Sequence, residues 1–103
     1  MYIKDAVDAY LVLAENLHRK DVVGEAFNFG SGKPVKVIDL YNKIIKLMGK
    51  NIKPKILGEA KNEIDRQYLS IEKAKRVLKW QPKCDLDSGL KETIDWYKKN
   101  YKN

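Results

Sequence analysis

A mostly helical α/β chain, with about four helices and two short strands in a single domain spanning residues 1–103, is what the sequence predicts. Three observations predict it. Apolar residues recur at helical spacing in several separate stretches, a short aromatic-rich run ends in a Gly-Ser-Gly turn, and no repeat or linker divides the chain. Its 103 residues are 44% hydrophobic, enough for a folded core and too much for a disordered chain. That core is modest, because a chain of this size hides only roughly 65% of its unfolded surface.

Ala6, Val7, Tyr10, Leu11, Ala14 and Leu17 recur at helical spacing, with Asp5 and Asp8 near the positive end of the dipole, and predict a helix over residues 5–18. His18 then sits beside its last carbonyls. Ala26, Phe27 and Phe29 suit a short strand, closed by Gly30-Ser31-Gly32. Val37, Leu40, Tyr41, Ile44, Ile45 and Met48 mark a second helix, ended by Gly49. Lys36 stands where such a helix start usually has a capping hydroxyl, so this end lacks a side-chain cap. Lys53 to Leu57 is the second candidate strand, which Pro54 places at a sheet edge or makes irregular. Ser70 caps a third helix carrying Ile71, Ala74, Val77 and Leu78, which stops at Trp80-Gln81-Pro82. Asp85 caps the last, where Leu86, Leu90, Ile94, Tyr97 and Tyr101 share one face. Two short strands under four helices make a thin architecture for a self-standing domain.

Bulk properties exclude several functions. No run of about eighteen apolar residues exists to span a membrane, and acids stand in MYIKDAVDAY where a signal peptide would be apolar; a cytoplasmic location is expected. Net charge is +7, which raises the question of nucleic acid. Yet of 21 basic residues only Arg19, Arg66 and Arg76 are arginine, and no arginine cluster suited to base readout exists. A solvated lysine surface is the better reading, and nucleic acid is the weakest partner. Cys84 is alone, so an internal disulfide is impossible and a zinc site lacks its second thiolate. It reads as an incidental, partly buried thiol rather than the nucleophile of a Cys–His pair with His18.

The run NFGSGKP resembles a phosphate loop at first sight. Its spacing is Gly-X-Gly, and its helix starts only near Val37, whereas a P-loop leads directly from Gly-Lys-Ser/Thr into a helix. It is therefore a turn whose glycines permit positive φ or close packing, not an NAD or ATP cradle.

Three stretches, in order, carry a family resemblance. YIKDAVDAYLVLAENL, GEAFNFGSGKPVKVIDL and NEIDRQYLSIEKAKRVLKWQPKCDLDSGLKETIDWYKKNY resemble the C-terminal part of extended short-chain dehydrogenase/reductases, the NAD-dependent nucleotide-sugar epimerases and dehydratases. Within that family, EAFNFGSG, NEIDRQYLS and TIDWYKKNY look most like CDP-glucose 4,6-dehydratase. The resemblance implies the small C-terminal substrate domain of a Rossmann-type enzyme without its Rossmann part. The latter would hold NAD and a catalytic Tyr-X-X-X-Lys pair; neither a GxxGxxG nor such a pair in its expected setting is found here, so no catalytic residue and no cofactor is expected on this chain. Implied partners are a nucleotide sugar, a separate Rossmann domain and, as an alternative role, a second copy of the chain. In the intact enzyme NAD would oxidise the sugar at C4, water would leave across C5–C6, and the hydride would return to C6.

By this resemblance Arg66 reaches the diphosphate. A guanidinium offers a planar fork to two phosphate oxygens, which lysine cannot reproduce. The competing reading is a weak surface pair with Asp65 or Glu63. Asn28 lies near the phosphates or base, where an amide both donates and accepts, or else bonds local backbone. Asp65 and Tyr68 flank Arg66 and either position it or only pack. Trp80 and Trp96 read as core or domain-interface rings, and Asp85 and Asp87 as residues of a helix start.

Overall fold

A computed structural model describes residues 1–59, 61 and 67–101. In chain order its elements are α1 (Ile3–Glu15), α2 (Val37–Met48), a π-helical turn (Ala74–Leu78) and α3 (Leu86–Asn100). The third predicted helix is thus short and π-helical, and the described residues hold four helices in all.

α1 begins earlier and ends earlier than its periodicity suggests. Its last turn is closed by Asn16, whose side-chain amide donates to the Val12 carbonyl at 2.7 Å. Arg19 then clips the following turn by bonding both Asn16 and Asp21. His18 lies past the helix end and is exposed. α2 ends as expected, with Gly49 at φ 65° receiving the chain in a left-handed turn, and Lys36 gives its start no side-chain cap. α3 starts on Asp85, whose Oδ1 accepts the Ser88 amide at 2.7 Å.

Neither predicted strand forms a ladder among the described residues. Residues 25–29 keep one trait of a strand: Phe27 and Phe29, two apart, both pack on the core, with their rings stacked 6.5 Å apart. What they lack is a neighbouring strand to hydrogen-bond, and one strand cannot make a sheet. Residues 53–57 lie exposed, including Ile56 and Leu57, and Pro54 removes one donor from that run.

The core is small. Ala9 of α1, Val22 of the turn after it, and Ile71, Ala74, Leu78 and Trp80 around the π turn form its buried part. The Phe29 ring meets Trp80 edge-on at 5.0 Å. α2 packs against α3 as a second, shallower layer with no fully buried side chain on α2. Polar contacts join the layers. Asp5, 4% exposed, accepts the backbone amides of Lys83 at 3.0 Å and Cys84 at 3.1 Å, tying α1 to the turn before α3. Tyr2 lies over Gly89, where an added Cβ would come within 3.1 Å of the tyrosine Cβ, and its hydroxyl donates to Glu92.

Candidate functional site

The Gly-Ser-Gly turn is held by its own chemistry. Ser31 Oγ accepts the Lys33 amide at 3.3 Å and donates to the Lys33 carbonyl at 3.1 Å. Gly32 has φ +71°, and a Cβ there would meet Ile71 at 3.1 and 3.2 Å. Both the backbone conformation and the contact require glycine. Because Ile71 belongs to the buried core, this contact docks the turn on the rigid part of the molecule.

The docking creates a groove of about 330 Å³ between two stretches far apart in sequence. Phe29 to Lys33 form one wall, and Gln67, Tyr68 and Leu69 form the other. Gly30 sits with a Cβ position 3.9 Å from Leu69, so the two walls touch at that point. The Tyr68 ring is half exposed and lines the groove. Asn28 directly precedes this wall but is exposed and does not line it; no hydrogen bond from its amide to backbone occurs among the described residues. Arg66 and Asp65 lie outside the described residues.

A larger cleft of about 890 Å³ lies elsewhere, along Tyr2, Ile3, Lys4, Trp96 and Tyr97. It is open and aromatic, with Trp96 packed edge-on against Tyr97 at 5.1 Å and near Tyr101 at 5.9 Å. At its rim the Glu92 carboxyl is held below the usual carboxylate range, first by the Tyr2 hydroxyl and then by Lys4. The same hydrogen bond leads the causes that push the Tyr2 hydroxyl up to about 12. These groups stabilise each other's resting states, which suits a structural contact better than proton transfer near neutrality.

Cys84 is half-buried, and burial foremost, aided by Asp5, Glu92 and Asp85, pushes its thiol up. That disfavours the thiolate a nucleophile needs. Among the described residues no group of three or more His, Cys, Asp or Glu side chains could hold a metal ion. None of the described helices is long and apolar enough to cross a membrane.

Comparison with known proteins places this arrangement. No family model matches the chain. An uncharacterized protein of Methanocaldococcus jannaschii is 33% identical over 99 residues, covering 96% of this chain and 29% of its own length. A UDP-glucuronate 4-epimerase of Thermodesulfobacterium geofontis is 34% identical over 77 residues, covering 74% of this chain and 24% of its own length. Among solved structures, dTDP-glucose 4,6-dehydratase from Bacillus anthracis in complex with NAD superposes with a TM-score of 0.65 at 30% identity, covering 91% of this chain and 30% of that one. The chain belongs to the nucleotide-sugar epimerase and dehydratase family. It spans under a third of the length of the relatives it matches and corresponds to their C-terminal part. Its mostly helical fold is similar to a part of that Rossmann-type dehydratase.

Sequence reasoning missed Asp5 as a buried anchor, reading it as a partner of the helix dipole. The stripe whose spacing revealed α1 is also not its core side. Val7, Tyr10 and Leu11 are exposed, and Ala9, Val12 and Leu13 face the core instead. Both faces of α1 are apolar, so periodicity alone had no means of choosing between them.

Proposed function

We propose that this chain is the nucleotide-gripping part of an NAD-dependent nucleotide-sugar 4,6-dehydratase or epimerase, acting on a CDP-glucose-like substrate in the cytoplasm. One observation carries the reading. The groove joins the wall after Asn28 to the wall that begins one residue after Arg66, although the two are distant in sequence. Arg66 forks onto the diphosphate, Asn28 bonds the phosphates or base, and Asp65 and Tyr68 hold the arginine in place. The epimerase and the dehydratase named above carry UDP-glucuronate and dTDP-glucose in their names, so the cytosine base rests on the motifs EAFNFGSG, NEIDRQYLS and TIDWYKKNY.

The chain alone contributes binding energy rather than chemistry. By fixing the nucleotide it sets the sugar before groups carried by a Rossmann domain, which also holds NAD. That domain covers the exposed stripe of Ile3, Val7, Tyr10 and Leu11 on α1. Mixing the chain with a separately expressed Rossmann portion of a family dehydratase tests this: NAD-dependent dehydration of CDP-glucose is expected only when both are present. Binding of the two without turnover would refute it.

The same stripe favours one second reading, a self-associating module derived from such an enzyme. Sedimentation velocity separates the two. A monomer at all concentrations removes the second reading, and a tight dimer that excludes the Rossmann portion removes the first.

A further inference from the structure

The groove between the Gly-Ser-Gly turn and residues 67–69 has one charged side chain among its described lining residues, Lys33. Among the described residues no aspartate or glutamate lines it, and Ser31, Gln67 and Tyr68 supply its other polar side chains. That described lining favours an anion. The lysine is also held where it stands. Its amide and carbonyl both bond Ser31 Oγ, and the preceding Gly32 rests on the buried Ile71 side chain. Some lysines are engaged elsewhere: Lys73 pairs with Glu25 at 2.9 Å and Lys43 with Asp87 at 2.8 Å. Among the described residues Lys33 makes no ion pair, although its field is one of the weaker influences keeping the Asp85 carboxyl low.

We propose that Lys33 is a second cation for the diphosphate of the nucleotide sugar, set on the wall of the groove opposite the segment that follows Arg66. This inference rests on the functional reading above. The two cations would divide the task by chemistry. A guanidinium fixes orientation through its planar fork, while an ammonium on a flexible stem supplies a point charge with three donors. A volume of about 330 Å³ accommodates a diphosphate with its ribose and leaves the sugar to project toward another domain.

The test is titration of the chain with CDP, UDP and dTDP at several salt concentrations, for the wild type, Lys33→Ala and Lys33→Arg, each first checked for an unchanged amide spectrum. Lys33→Ala is expected to weaken nucleoside diphosphate binding about tenfold and to make it less sensitive to salt, because one charged contact is gone. Lys33→Arg should retain both properties. Unchanged affinity in Lys33→Ala overturns the role of Lys33 and leaves the nucleotide site standing. Weaker binding with an unaltered salt dependence makes Lys33 a structural residue and also overturns it. If the folded wild type binds none of the three diphosphates, the functional reading falls and this inference with it.

Discussion

Asp5 shows how much a single carboxylate can hold in a chain with so small a core. It is 4% exposed and satisfies two backbone amides 78 and 79 residues away. Replacing it by alanine would leave those part-buried amides without this acceptor, at a cost of about 1–2 kcal/mol, read as a lower urea midpoint. Gly32→Ala faces both strain at φ +71° and the 3.1 Å approach of Ile71; it should cost about 1–3 kcal/mol in the same assay. Tyr2 and Glu92 add a pH dependence of known sign. Glu92 titrates lower in the fold, so its contribution is present above the ordinary carboxylate range and disappears as pH falls through it. Tyr2 rises from 10.0 to about 12, so its contribution is complete below pH 10 and is lost as pH climbs through about 12. Tyr2→Phe should therefore lower stability most between those limits and match the wild type beyond them, as unfolding at a series of pH values would show. The local features among these residues were legible in sequence. Asp85 and Gly49 act on amides and carbonyls of their own helices, so spacing alone announces them. Asp5 acts across the whole chain, and no local pattern encodes that.

At the level of elements, α1 carries two apolar faces and the chain covers only one. Ala9, Val12 and Leu13 meet the core, while Ile3, Val7, Tyr10 and Leu11 face outward. Substituting Val7 and Leu11 by serine should leave the urea midpoint of the isolated chain nearly unchanged, within about 0.5 kcal/mol, because their surface is already wet. The same change should weaken capture of the Rossmann portion by more than about tenfold, since a central apolar pair is lost. The periodicity that located α1 and α2 is intrinsic to each helix. The two strands were not legible for the opposite reason: a strand is completed by a partner, and residues 25–29 present the side-chain alternation without one. The π turn escaped notice because residues 71, 74 and 78 fit ordinary helical spacing. The wider backbone shows only in the hydrogen bonding and in Lys79, which leaves the turn at φ 55°.

The whole molecule is a slab, 51 × 38 × 19 Å, with a Cα radius of gyration of 17.2 Å. A compact domain of this length would have about 13 Å. One small core, a second layer without a buried side chain on α2, and large outward apolar residues together describe a surface built to be covered. The candidate site was legible in part. The motifs singled out Tyr68, which lines the groove, and Asn28, which precedes one wall, but neither the contact of Gly32 with Ile71 nor the place of Lys33 among the described lining residues could be read from spacing, since both depend on how distant segments meet. The central claim is that this chain grips the nucleotide of a nucleotide sugar. The most direct measurement is an amide NMR titration with CDP-glucose of the wild type and of Arg66→Ala. Shifts confined to residues around Asn28, Lys33 and Tyr68, abolished in Arg66→Ala, are what the account predicts. A well-dispersed spectrum that does not move with saturating ligand would contradict it.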